Sequence, residues 1–297
     1  MELPAISAAE LRQRSRAILL GMACGEAVAG ESTLTRLALD LGESVATEER
    51  VDPESVLRRW SDRGTDPGPR PGSVTGQALR LYGQGFPAAG LAEATARLVP
   101  DRSGDGALVR ALPLAVAARR DGARLKLWAD QSAAITHSDL TSRMATVGGC
   151  LLARDLLTRS LEESLARVAQ AIREEAPLRL ARAFRRPDRG EGPEPGDDAV
   201  AVLSQAIHAS AGTADLDGVL AELENQAGSG PGVMALAGGL AGAATGIDPD
   251  SARVSGLDPA LRRRLEALAD RLVTFESEEH GPASGVAGSS AFAMRTD

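Results

Sequence analysis

The chain has 297 residues, enough for one large domain or two small ones with a substantial core. Its formal charge of −8 and pI near 5.1 exclude a general nucleic-acid or anionic-membrane binder, which needs a concentrated basic surface. Aromatic residues make up only 2%, so base-stacking platforms are excluded too, and the core must be built from Ala, Leu and Val at close helix spacing.

In chain order, apolar residues recur near a helical period over Ala9 to Ala29, Val74 to Tyr82, Ala89 to Leu98, Gly106 to Arg119, Leu140 to Arg159, Leu161 to Glu175, Asp197 to Ser210 and Val233 to Thr245. No stretch shows sustained two-residue alternation, so the predicted fold class is all-α. Polar caps mark the starts: Ser138 and Asp139 before Leu140, Asp197 and Asp198 before Ala199. The Pro- and Gly-bearing stretches before Val74 and from Arg185 to Gly196 read as exposed connections. No linker divides the helices, so residues 1–275 are expected to form one domain. From Glu276 to Asp297 large apolar groups are few, which predicts a disordered tail.

The apolar run Ala17 to Ala29, broken by Gly21, Gly25 and Glu26, is too short to span a membrane and carries no cleavage-site pattern. Cys24 and Cys150 lie far apart in apolar stretches and read as two buried free thiols. Together these features predict a cytoplasmic setting.

Several segments are able to carry chemistry. Glu26 is the only charge among small residues from Gly21 to Gly30, so its carboxylate must be paired, solvated or used. Gly104, Asp105 and Gly106 form a glycine loop before a helix, with Arg110 one turn inside. Exposed amides at a helix start attract anions, and Arg110 is placed to pair with Asp105 or with a ligand carboxylate or phosphate. His137 sits at a polar break between two apolar helices, within reach of a pocket. The other histidines, His208 and His280, lie too far off to form metal-ligand spacing with it. Gly228 to Gly242 is a Gly and Pro loop feeding a helix of small residues, without the Lys-Ser or Lys-Thr pair of a phosphate loop. Residue chemistry alone leads to an acidic helical domain with several glycine-rich loops.

Taken in order, these segments resemble the ADP-ribosylglycohydrolase family, which includes the dinitrogenase-reductase activating glycohydrolases. Gly21 to Gly30 resembles its opening Gly-x-x-x-Gly-Asp-Ala-x-Gly, with Glu26 for the Asp. Gly104 to Leu114 resembles its Gly-Asn-Gly-x-x-Met-Arg-x-x-Pro-Leu segment, with Asp105 for the Asn. Thr136-His137-Ser138 resembles Thr-His-Pro, and Asp198 to Ala209 resembles a later Val-x-x-x-Leu-x-x-Ala-Leu helix. The resemblance covers most of residues 13 to 248. It implies an orthogonal multi-helix bundle with loops around a cleft for ADP-ribose or an ADP-ribosylated target, and hydrolysis at the ribose anomeric carbon assisted by two magnesium ions.

The departures fall on the metal ligands that the resemblance implies. The family's Thr-Asp-Asp-Thr corresponds to Gly72-Ser73-Val74-Thr75, and its Gly-Asp-Thr-Asp-Thr to Gly228-Ser229-Gly230-Pro231-Gly232. Four carboxylates are gone, and magnesium needs hard oxygen ligands with carboxylate help. No metal or other cofactor is therefore expected. Ser73, Val74, Thr75, Ser229 and Pro231 occupy the former metal region. Gly104, Asp105, Gly106, Arg110, His137, Ser229 and Gly230 are expected to bind the ligand. Turnover, if retained, would be cleavage of an ADP-ribosyl or ribosyl N- or O-glycoside, with Glu26, Asp66 and Asp105 as candidate carboxylates. The alternative to a binder or an altered hydrolase is an interaction protein whose cleft is filled by side chains. Neither nucleic acid nor a membrane is an expected partner.

Overall fold

A computed structural model describes residues 6–62, 73–99, 104–185, 192–213, 215–226 and 229–278. The described residues are all-α. The helices run in the order α1 (Ala8–Val28), α2 (Thr33–Glu48), α3 (Pro53–Ser61), α4 (Val74–Gly83), α5 (Leu91–Leu98), α6 (Gly106–Arg110), α7 (Leu112–Ala117) and α8 (Gly122–Ala134). There follow α9 (Leu140–Leu156), α10 (Leu161–Ala171), α11 (Leu178–Ala183), α12 (Ala199–Gly212), α13 (Leu216–Asn225), α14 (Pro231–Thr245), α15 (Ala252–Ser255) and α16 (Pro259–Glu278). The one isolated β-bridge among the described residues joins Gly104 to Asp198.

The fold is organised about α1 and α14, whose backbones touch. A Cβ built on Gly21 would stand 2.2 Å from the Gly238 carbonyl oxygen, and one on Gly238 would stand 2.1 Å from that of Gly21. The same holds one turn away on either side, with Gly25 against the Met234 carbonyl at 2.0 Å and Gly242 against that of Ala17 at 2.0 Å. Only glycine fits at such points, and the close approach brings Cα–H groups onto carbonyl oxygens along both helices. The pair is buried over most of its length, from Ala17 to Glu26 and from Gly232 to Ala243. Helices α9, α12 and α13 pack on α14, while α16, α2 and α7 pack on α1.

Local chemistry explains the boundaries. Ser7 accepts from the Glu10 amide at the start of α1, Asp139 from Ser142 at the start of α9, and Ser160 with Glu163 forms a capping box on α10. The helix expected over Gly106 to Arg119 is two helices that meet at Ala111, because Pro113 lacks the amide that would continue the hydrogen-bond ladder. Helices α2, α3, α8, α11, α13, α15 and α16 stand outside the stretches expected to be helical. The last of them crosses the boundary placed at Phe275 and runs to Glu278, and the remainder of the expected tail lies outside the described residues. No described helix is long and apolar enough to cross a membrane. Cys24 and Cys150 are buried and unbridged.

The α1–α14 contact gives a direct stability test. Gly21→Ala or Gly238→Ala inserts a methyl into a backbone, which cannot step aside as a side chain can. Each is expected to destabilise by about 3 kcal/mol or more, lowering the midpoint of thermal unfolding by roughly 6–12 °C. Gly83→Ala, at a helix end with nothing within 4 Å of the added carbon, is the control and should leave the midpoint unchanged or slightly raised. Equal midpoints for all three variants would show that the two backbones are not in contact.

Candidate functional site

Five helix starts surround a cavity of about 440 Å³. Thr33 and Leu34 open α2, Ser73 to Thr75 open α4, Asp105 and Gly106 open α6, Gly196 and Asp197 lead into α12, and Gly230 to Val233 open α14. The stretches that sequence analysis assigned to the former metal region, Ser73 to Thr75 and the loop before α14, therefore reach the same cavity although far apart in the chain. Gly72 and Gly228, at their margins, lie outside the described residues.

Each start is served differently. Glu26 is 1% exposed, and its two carboxylate oxygens accept from the Leu34 and Thr35 amides at 2.7 Å each, so α1 caps α2 from outside. Burial pushes the Glu26 carboxyl above its ordinary value, against the hydrogen bonds from Thr35 and Leu34 that favour the charge. Ser73 accepts from the Gly76 amide at 3.0 Å and caps α4 without bringing a charge. Asp198 accepts from Val200 and Ala201 at the start of α12 and pairs with Arg179 at 2.6 Å. Helix α14 begins at Gly230, which has no side chain to cap it. The Asp105 carboxylate lies over that start instead, because a Cβ on Gly232 would fall 1.5 Å from its Oδ2.

Behind α4 is a buried cation. Arg110, fully buried, donates to Thr75 Oγ1 at 3.0 Å, to the Ser132 carbonyl at 3.1 Å and to Thr136 Oγ1 at 2.7 Å, and its guanidinium lies 4.6 Å from the centre of the Trp60 ring. No carboxylate among the described residues pairs with it. Burial pulls its pKa down to about 9, which leaves it charged at neutral pH. Thr136 Oγ1 also lies 2.7 Å from His137 Nδ1. Burial, then the charge on Arg110, push His137 down to about 3 against a hydrogen bond to the Gly104 backbone. The imidazole is thus neutral across the physiological range.

Of the expected site residues, Glu26, Ser73, Val74, Thr75, Gly104, Asp105, Gly106, His137, Gly230 and Pro231 line the cavity. Arg110 and Ser229 do not. Arg110 was expected to meet Asp105 or a ligand, but its helix turns it inward, where it meets two hydroxyls, a carbonyl and an indole face while its Nε finds no acceptor. Ser229 precedes the turn that carries the chain to the wall at Gly230. Asp66 lies outside the described residues. Sequence reasoning did not find Glu31, Asp197 or the apolar wall of Leu34, Val99, Val202 and Val233. Nor did it give a role to Trp60, although one of only two tryptophans in a chain this poor in aromatics was a usable signal.

The family model for ADP-ribosylglycohydrolase matches residues 7–281. The chain belongs to the ADP-ribosylglycohydrolase family. A solved structure described as an ADP-ribosylglycohydrolase-related protein complex is similar to it at 26% identity, with a TM-score of 0.72, over 90% of this chain and 99% of that one. None of the curated proteins matches it. The all-α fold is that of the ADP-ribosylglycohydrolases.

The depressed His137 value fixes the sign of a pH effect. A histidine whose native pKa lies below its ordinary 6.5 contributes stability that is complete above that value and is lost as pH falls toward about 3. Between pH 7 and 5 the loss from this ring alone is about 2 kcal/mol. Urea unfolding at the two pH values should show His137→Gln losing correspondingly less than the unsubstituted protein. An equal loss would mean that His137 titrates normally.

Proposed function

We propose that this ADP-ribosylglycohydrolase-family protein binds ADP-ribose or a related ribosyl ligand in the cavity, with helix starts and a buried arginine in place of the family's two magnesium ions. The observation that carries this reading is the convergence of helix starts on one cavity, where carboxylates already serve α2, α12 and α14 and none caps α4. Among them α4 stands out, because its cap is the uncharged Ser73 and Arg110 lies one layer behind Thr75. That corner suits the diphosphate. Glu31, Asp105 and Asp197 also line the wall and suit the hydroxyl donors of a ribose, while Leu34, Val202 and Val233 offer apolar contact. The volume is within the range of small-molecule pockets and speaks against a cleft filled by its own side chains.

Magnesium does not fit the donors present. Between the starts of α4 and α14 stand hydroxyls, an isopropyl group, a proline, glycines and the single carboxylate of Asp105, and the described residues contain no group of three Asp, Glu, His or Cys able to hold an ion. A second reading, hydrolysis of a ribosyl glycoside by a rearranged carboxylate, draws support from Asp105, which lies over the start of α14 inside the cavity. Glu26 is a poorer choice, since both its oxygens are engaged by α2.

Calorimetry with ADP-ribose tests the proposal. Binding in a chelator and binding in millimolar-range magnesium are expected to agree within about twofold, since the missing ligands are the anionic ones that a hard cation needs. Binding that appears only with magnesium would overturn the metal-free reading. Absence of binding in both would overturn the ligand assignment.

A further inference from the structure

Arg110 touches two hydroxyls, and a guanidinium has hydrogens to donate and nothing with which to accept. Thr75 Oγ1 and Thr136 Oγ1 must therefore act as acceptors toward it, at 3.0 and 2.7 Å, and each hydroxyl proton must point to some other partner. For Thr136 that partner is His137 Nδ1, 2.7 Å away. A ring nitrogen that accepts carries no proton, so the proton of the neutral imidazole is on Nε2. Nε2 faces Gly104, where an added Cβ would stand 3.5 Å from it, and the ring's hydrogen bond to the Gly104 backbone is satisfied by that tautomer. The chain of donors thus runs from Arg110 through Thr136 and His137 to the loop that carries Asp105. For Thr75, which lines the cavity at the start of α4, the proton is left for a group in the cavity.

We propose that Arg110 is the positioning residue of the cavity: from behind the wall it sets the hydrogen-bond polarity of both hydroxyls, making Thr75 a donor toward the ligand and holding His137 as the Nε2–H tautomer clamped to the Gly104 loop. The group that meets Thr75 is consequently an acceptor, a phosphate or ether oxygen and not an ammonium or amide N–H. A residue that merely filled the core would leave the direction of the Thr136 hydroxyl open, and the hydrogen bond to Gly104 would hold the His137 tautomer unaided. The Thr75 half of this inference rests on the ADP-ribose reading above, and the His137 half does not.

The test is nitrogen NMR of the full-length protein labelled at histidine, without ligand at pH 7, with His137 assigned by its disappearance in His137→Gln. Nε2 is expected to carry the proton, and Nδ1 to show the resonance of an unprotonated nitrogen that accepts a hydrogen bond. Thr136→Val should move Nδ1 to the position of a nitrogen without that bond, and Thr136→Ser should restore it. A wild-type ring protonated at Nδ1, or an Nδ1 resonance indifferent to Thr136→Val, overturns the proposal. These variants leave Arg110 in place, so the outcome does not hang on whether an Arg110 variant folds. In the calorimetric arm Thr75→Val is expected to weaken ADP-ribose binding about tenfold, and Thr75→Ser to retain it. Equal affinity for the valine and serine variants overturns the donor role of Thr75. If the unsubstituted protein binds no ADP-ribose, the ligand reading fails and the NMR result alone decides the polarity set by Arg110.

Discussion

The contact on which the rest depends is backbone against backbone, where α1 and α14 cross through Gly21, Gly25, Gly238 and Gly242. Two helices that meet this closely have their relative position fixed by carbonyl and Cα atoms, which have no rotamers to adjust. Glu26 leaves one end of α1 and the Gly230 turn begins α14, so the register of the glycines sets how far these stand apart across the cavity. The carboxylate of Glu26 then fixes α2 through the Leu34 and Thr35 amides. A helix pair that looks like plain core thus defines two walls of the site.

A second constraint acts on the opposite wall. A buried guanidinium without a carboxylate is expensive unless every strong donor finds an oxygen or an aromatic face. Arg110 meets that demand in part, its two terminal nitrogens donating to Thr75, Thr136 and Ser132 and its plane lying on Trp60 while Nε finds no acceptor, and in doing so it ties α4, α6, α8 and α3 together. Burial, and after it the same charge, hold His137 neutral, and the charge leaves a positive field behind α4.

The helices carrying the densest small-residue patterns, α1 and α14, were readable from sequence, because glycine and alanine at helical spacing have few other uses. The segments that meet at the cavity were also readable, through their resemblance to one family taken in order. Helix α2 was not expected, although its first turn receives Glu26, because the partner of a buried carboxylate nine residues away is a tertiary fact. Arg110 was read as a ligand group, since a charge beside a glycine loop normally faces solvent and only packing against Trp60 turns it inward. Pro113 was visible and still did not divide the expected helix, because a proline in the first turn of a helix is tolerated and the apolar period runs on through Ala111 without marking a new start.

Whether the start of α4 receives the anionic part of a ribosyl ligand directly, with Arg110 behind it, is the central question. A crystal structure of the protein grown with ADP-ribose and magnesium tests it most directly. The account predicts diphosphate oxygens within hydrogen-bond distance of the Val74 or Thr75 amide and the Thr75 hydroxyl, with no cation between α4 and α14. A diphosphate bridged to this wall by ordered metal ions, or a ligand bound elsewhere on the molecule, would contradict it.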